Sequence, residues 1–261
     1  MDRNEHLIIR DDNNKEWFEF NGKRSDEFGI RIANELEFVS PQSDVEEIPV
    51  LGRDGVVLID NERREPIRKN IRLEIPVFDE LAKDDNGELL HDLVLEINEW
   101  LGVKGWHDWR WGMYPNYVWR ATVKDTYNIT DTIRSRGRGV IQVTFHPVMY
   151  LDGVSEVTLT QGANLNNVTN EIAKPLIHIE GTGDITLKNN NIDWLVLRAV
   201  DQSITIDSEQ MEVYRGNRPQ YDKMIDMNPL FPLLSKGNNT ITWTGNATKI
   251  TVDPRWVVEA T

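Results

Sequence analysis

The chain contains no cysteine among its 261 residues. It therefore has neither a disulfide framework nor a thiolate metal site. Basic side chains are also few, since 29 Lys and Arg stand against 43 Asp and Glu and give a formal net charge of −14. A chain this acidic is not expected to bind nucleic acid through its phosphates or to adsorb to an anionic membrane surface.

Long hydrophobic runs are missing as well. No apolar stretch approaches the roughly 18 residues that a membrane-spanning helix needs. The first six residues, MDRNEH, lack the basic and apolar regions of a secretory signal. We therefore expect a protein that is made and used without export by that route.

Motifs of the common enzyme classes are absent. Two Gly-x-Gly fragments begin at Gly137 and Gly181, but Gln142 and Thr186 stand where a dinucleotide-binding fingerprint has its third glycine. The chain has no Gly-x-Ser-x-Gly and no Walker loop. Its five histidines share no metal-ligand spacing. We predict that the protein is not an enzyme and needs no cofactor or metal.

What the chain does contain is the alternation of apolar and polar residues that is typical of strands. In the N-terminal half, residues 6–10 and 16–20 flank one predicted turn, and residues 45–50 and 56–59 flank another at 52–55. Further strands are predicted at 28–32, 67–78, 117–123 and 139–145.

One segment of the N-terminal half has a helical period instead. Between residues 89 and 101 the apolar side chains recur three or four positions apart, at Leu90, Leu93, Val94, Ile97 and Leu101. This spacing predicts one amphipathic helix, which Gly102 ends. A lone helix in a β chain is expected to cover a face of the sheet.

Two clusters of side chains are candidate contact sites. Aromatic residues gather just after the helix, at Trp106, Trp109, Trp111, Tyr114, Tyr117 and Trp119. They indicate either a sugar-stacking platform or a core or subunit-contact cluster. The basic cluster Arg134, Arg136 and Arg138 either meets an acidic neighbouring subunit or lies in a solvated loop.

A domain boundary is predicted near residue 150, because Pro147 interrupts a strand and a Gly-, Asn- and Thr-rich stretch follows. Beyond it we expect about eight short strands and no helix, as in a jelly roll. The last two are predicted to form a hairpin, 240–244 with 249–252, that reverses at Gly245 and Asn246.

Several motifs together resemble a known family, the distal tail protein (Dit) of long, non-contractile-tailed bacteriophages that infect Gram-positive bacteria. In chain order they are FNG at 20–22, SDEFGI at 25–30, GRDG at 52–55, FHP at 145–147, PLIHIEGTG at 175–183, ITID at 204–207, the segment 237–245 and PRW at 254–256. The resemblance spans nearly the whole chain.

This resemblance implies a mainly β fold in two domains. Residues 1–150 would form a β-sandwich with one flanking helix that builds a ring. Residues 151–261 would form a galectin-like β-sandwich that serves as an attachment hub. The chain lacks the long C-terminal insertion with which some relatives bind carbohydrate, and a galectin-like fold does not by itself imply a lectin.

The implied function is structural. Six copies would form a ring at the tail tip of the virion, after synthesis in the cytoplasm of the bacterial host. The ring's partners would be the tail tube protein, the tail-associated lysin or fibre protein and the receptor-binding proteins of the adsorption apparatus. DNA would pass through the ring without specific binding, because a carboxylate-lined bore repels phosphates. The competing hypotheses are a monomeric cell-wall carbohydrate-binding module that uses the Trp106–Trp119 cluster, and a wall hydrolase.

Overall fold

The computed structural model describes residues 15–33, 39–75, 88–123, 128–131, 137–225 and 231–261. In that part the chain is mainly β with one α-helix, which confirms the predicted fold class. The chain divides into two compact units between Met149 and Tyr150, and Glu259–Thr261 belong to the first. The predicted strand at 6–10 lies outside the described residues.

The first unit is built on one curled antiparallel sheet. Its strands are β1 Phe18–Phe20, β2 Lys23–Arg24, β3 Arg31–Ile32, β6 Ile67–Ile75, β7 His107–Trp111, β8 Tyr117–Thr122, β9 Asn128–Asp131, β10 Gly137–Leu151 and β19 Val257–Glu259. They have the order β2-β1-β7-β8-β10-β6-β3, and β9 and β19 also pair with β10. Two further strands of this unit, β4 Ser43–Pro49 and β5 Val56–Arg64, form a separate sheet.

The predicted helix is present as α1, Glu88–Leu101. Three side chains of its apolar stripe, Leu93, Ile97 and Leu101, are buried, and Leu93 and Leu101 are fully inaccessible to solvent. Trp100 stacks on Phe28 with ring centroids 4.6 Å apart, and its indole N–H donates a 2.7 Å hydrogen bond to the carbonyl of Phe20 in β1. The helix therefore covers the sheet as predicted, and the indole satisfies a buried backbone acceptor.

Two local predictions in the first unit were wrong. The strand predicted at 28–32 is present only at Arg31–Ile32. Phe28 ends a 3-10 turn, Ser25–Phe28, which Gly29 closes with a φ of 68°. The strand predicted to stop at Pro147 continues to Leu151. Proline lacks only a donor, and its carbonyl still accepts a 3.0 Å hydrogen bond from the Ala260 N–H.

The second unit contains strands without an α-helix among its described residues. They are β11 Val157–Thr158, β12 Ala163–Asn167, β13 Leu176–Asn189, β14 Ile192–Val200, β15 Ser203–Asp207, β16 Glu212–Arg215, β17 Arg218–Pro219 and β18 Gly237–Asp253. The sheet has the order β11-β18-β13-β15-β16-β17, with β12 on β18 and β14 on β13. A second 3-10 turn, Tyr221–Lys223, follows β17.

The predicted C-terminal hairpin is wrong, because residues 237–253 form the single strand β18. β18 pairs with β13 along nearly its whole length, and the register shifts near Gly181 and between Thr182 and Ile185. Gly245, with a φ of 95°, lies opposite Ile185 at this irregularity. Gly245 and Asn246 therefore form a corner within the continuous strand β18. Bulges at such corners allow a strand to bend, so that the sheet can fold over its own hydrophobic core.

One core serves both sides of this corner. Ile177 and Ile179 precede it on β13, Ile185 and Leu187 follow it, and all four are fully buried. The glycines at the corner allow the two strands to approach closely. A Cβ on Gly245 would lie 2.1 Å from the carbonyl oxygen of Asp184.

Candidate functional site

The most conspicuous surface feature is the hairpin of β4 and β5, which we call the arm (residues 43–64). It confirms the hairpin predicted around residues 52–55. Among the described residues, β4 and β5 pair only with each other, from Ser43 opposite Arg64 to Pro49 opposite Val56. The arm thus presents two unpaired strand edges.

Both faces of the arm carry exposed apolar side chains. Cross-strand partners share a face, so Leu58 lies beside Glu47 on one face and Ile59 lies beside Glu46 on the other. Leu58 is 62% exposed and Ile59 is 43% exposed. Leu51, at the turn, is completely exposed. The other exposed apolar residues of the arm are Val45, Ile48, Val50 and Val56.

The base of the arm is held by polar contacts. The Asp44 carboxylate accepts hydrogen bonds from the guanidinium of Arg63 and from the side-chain amide of Asn61 at 3.2 Å. The hydrogen bond from Arg63, followed by that from Asn61, holds the pKa of Asp44 below its ordinary value. A two-stranded hairpin is marginally stable in water by itself. Exposed apolar side chains on both of its faces are characteristic of an interaction surface.

The predicted aromatic cluster is mostly core. Trp109 is completely buried and Trp111 is 4% exposed, and Trp109 stacks on Phe18 at 4.3 Å. These two side chains belong to the core of the first unit, where neither a sugar nor a second subunit can reach them. Trp106 is 37% exposed and meets the edge of His146. Tyr114 is half-buried against Trp119. Tyr117 is half-buried as well, so Trp106, Tyr114 and Tyr117 retain the accessibility that the predicted contact requires.

The basic cluster can be assessed only at Arg138, because Arg134 and Arg136 lie outside the described residues. Arg138 in β10 lies opposite Glu74 in β6, and the two side chains approach to 3.6 Å. This is a cross-strand ion pair on a largely solvated surface, which contributes little to stability.

An ionic cluster that sequence analysis did not identify lies in the second unit. Arg255 forms a two-pronged contact with Asp207, at 2.8 and 3.0 Å, and its guanidinium also reaches Glu209 at 3.3 Å. Asp207 further accepts the backbone N–H groups of Glu209 and Gln210, each at 3.0 Å. Since 48 residues separate Arg255 from Asp207, no local spacing could have revealed the pair. Its carboxylates are fully occupied, so the cluster is structural.

The cluster predicts an acid-sensitive second unit. Burial alone would raise the pKa of Asp207, but the hydrogen bonds from Arg255 and Gln210 outweigh it and leave the pKa below its ordinary value of 3.8. A lowered folded-state pKa stabilises the protein above the unfolded-state value, and this stability is lost as the pH falls through the folded-state value. We expect the unfolding free energy to decline below about pH 4, as measured by urea denaturation at a series of pH values.

The matched variant is Asp207→Asn. At neutral pH it should cost about 1–3 kcal/mol, because a charge-assisted contact is lost. The unfolding free energy of this variant should also decline less at acidic pH than that of the wild type. Equal declines in the two proteins would contradict the role assigned to Asp207.

The described residues contain neither a membrane-spanning helix nor a candidate metal cluster. Within the parts of the chain that the structure describes, no helix is long and apolar enough to cross a membrane. In the same residues, no group of three or more His, Asp or Glu side chains is arranged to hold a metal ion.

Comparison with known proteins identifies the fold. No family model and no curated protein matches the sequence. Among solved structures, the chain resembles the Dit protein (gp 19.1) of SPP1, whose crystal structure is described as a paradigm of the hub adsorption apparatus in Gram-positive-infecting phages. The match has a TM-score of 0.65 and 12% sequence identity, and it covers 91% of this chain and 98% of the SPP1 protein. The chain therefore has the fold of the SPP1 Dit protein.

Proposed function

We propose that this chain is a structural protein of a bacteriophage tail tip. Six copies close into a ring that joins the tail tube to the host-adsorption apparatus. The likeness to the SPP1 Dit protein over 91% of the chain supports the general role. The arm is the single observation on the chain itself that supports assembly.

The arm favours assembly for an energetic reason. Burial of an exposed Leu or Ile side chain contributes about 1.5–3 kcal/mol, and the arm exposes several such side chains. A second copy of the chain is the partner that is always present at matching concentration. When the arm of each copy packs on the next copy, the contact is head-to-tail, and a head-to-tail contact whose rotation closes produces a ring.

The two halves of the chain have different roles in this proposal. Residues 1–150 contain the arm, and we assign ring building to them. To residues 151–261 we assign attachment of the adsorption apparatus, including the tail-associated lysin or fibre protein and the receptor-binding proteins. The tail tube protein is the partner on the other side of the ring. The protein is located at the virion tail tip and catalyses no reaction.

Passage of DNA through the ring sets an electrostatic requirement. A basic bore would retain the genome by binding its phosphates, whereas a bore lined with carboxylates would repel them. The net charge of −14 is consistent with such a bore. A ring structure whose bore was lined mainly by Arg and Lys would rule this feature out and leave the ring itself unaffected.

Electron microscopy provides the direct test. Negative-stain images of the purified protein, alone and mixed with the neighbouring tail proteins, should show six-membered annuli. Antibody labelling of intact virions should place the protein at the tail tip. Particles of single-subunit size in both samples, or label confined to the capsid, would contradict the proposal.

A further inference from the structure

A groove on the second unit has the composition of a carbohydrate subsite, independently of the arm. It has a volume of about 280 Å³ and is lined by the β16–β17 hairpin and by the 3-10 turn that follows it. Its walls include Tyr214, Tyr221, Glu212 and Asn217. We propose that this groove binds a neutral oligosaccharide.

The groove presents an accessible aromatic ring. Tyr221 is 51% exposed, although its hydroxyl lies 3.5 Å from the carbonyl of Met211. At this exposure the ring of Tyr221 is accessible to a ligand. Aromatic rings of this kind supply large contact area at low entropic cost, because only two side-chain torsions need to be fixed. The C–H-rich face of a sugar ring suits such a platform.

Two polar side chains line the groove together with Tyr221 and can form hydrogen bonds with sugar hydroxyls. Glu212 and Asn217 are both exposed on the groove wall. Together they offer carboxylate and amide oxygens as acceptors and amide N–H groups as donors. Binding sites for small molecules combine an apolar surface with a few such groups. The single carboxylate disfavours an anionic polymer and favours a neutral sugar.

The backbone that carries Tyr221 is anchored on both sides. The N–H of Gln220 donates a 2.7 Å hydrogen bond to Val213 in β16, and the N–H of Ile225 donates a 2.9 Å bond to Val196 in β14. The N–H of Met224 closes the turn on Tyr221 at 3.2 Å. A groove that is already formed avoids the ordering cost of binding.

A polar row extends the groove across the sheet. Tyr214 lies opposite Thr205, Thr205 opposite His178, and His178 opposite Thr251. Thr205 and His178 form a hydrogen bond of 2.9 Å. Tyr214, Thr205 and His178 are half-buried, and they face away from the core because Ile206 and Val213 on the same strands are fully buried. Thr251 is buried, so the accessible row runs from Tyr214 to His178. These two strand spacings span roughly 9.5 Å, so the row accommodates a disaccharide or a longer chain rather than a single sugar.

The test uses the full chain and two probes, cellotetraose and chitotetraose, in saturation-transfer NMR titrations. Each is present at about 10 mM, where binding with a millimolar Kd is detectable. Tyr221→Ala should weaken binding at least about tenfold, because the stacking surface is lost. Tyr221→Phe should bind as the wild type does, since it keeps the ring. Ile192→Ala is the matched control, because Ile192 is a 72% exposed apolar residue of the second unit that does not line the groove. Its loss should leave sugar binding unchanged.

Three results would overturn the proposal. They are no signal from either tetrasaccharide with the wild type, equal binding by Tyr221→Ala, and binding of a decaproline peptide in place of the sugars. The last would make the groove a peptide site, because tyrosine-lined grooves also accept polyproline helices. Thermal melting of each variant should match the wild type, because Tyr221 and Ile192 are exposed.

Discussion

Replacement of Leu58 and Ile59 by aspartate is expected to abolish ring assembly and to leave the subunit folded. The two side chains lie on opposite faces of the arm and are 62% and 43% exposed in the single chain. Each contributes about 1.5–3 kcal/mol when a neighbouring copy buries it. Loss of both weakens every subunit contact by more than about a hundredfold. Sedimentation velocity of the Leu58→Asp/Ile59→Asp variant should show single subunits with wild-type circular dichroism.

The matched control places the same charges elsewhere. Val168 and Ile192 are each 72% exposed on the second unit, so the Val168→Asp/Ile192→Asp variant changes apolar surface of the same kind outside the arm. It should assemble as the wild type does. If both double variants remained assembled, the arm would not be the subunit contact. If both fell apart, assembly would depend on surface charge in general.

The Gly245→Ala substitution, at the corner of strands β13 and β18, is expected to cause a large loss of stability. A Cβ there would lie 2.1 Å from the carbonyl oxygen of Asp184 and 3.0 Å from Cα of Ile185. Both are backbone atoms and cannot rotate away. The φ of 95° adds strain for any side chain. We expect a loss of at least about 4 kcal/mol, since a clash and a strained backbone combine.

Substitutions at two neighbouring glycines distinguish the cost of the steric clash from the cost of the strained backbone. Gly183 has a φ of 78° but open space around its Cβ position, so Gly183→Ala should cost only about 1 kcal/mol. No positive φ is found at Gly181, but its Cβ would lie 2.4 Å from the carbonyl oxygen of Asn246, so Gly181→Ala should fall between the two. Urea denaturation of the three variants should give this order. Equal costs at all three positions would show that the corner is not tightly packed.

The corner also explains why the C-terminal hairpin was mispredicted. A Gly-Asn step between two alternating runs is a strong hairpin signal, and Gly245 does have the positive φ that this signal reflects. The residues around Gly245 do not reveal that β13, Leu176–Asn189, pairs along both arms of the predicted hairpin. β13 bends at the same level as β18, and only that pairing distinguishes a corner from a reversal.

Elements with local determinants were predicted well. The spacing of Leu93, Ile97 and Leu101 specifies one buried helix stripe, and the helix is present. The turn predicted from Gly52 and Gly55 is confirmed, since β4 and β5 pair on either side of it and form the arm. Its separation from both larger sheets was not predicted, because strand pairing depends on long-range contacts. The Arg255–Asp207 cluster was missed for the same reason.

The mass of the purified protein at neutral pH is the most direct test of ring assembly. We expect one dominant species of six times the 30.2 kDa chain mass for the protein alone, or a larger species with six copies of the chain when its tail neighbours are added. A 30.2 kDa species that persists at every concentration, and also in the presence of those neighbours, would contradict it.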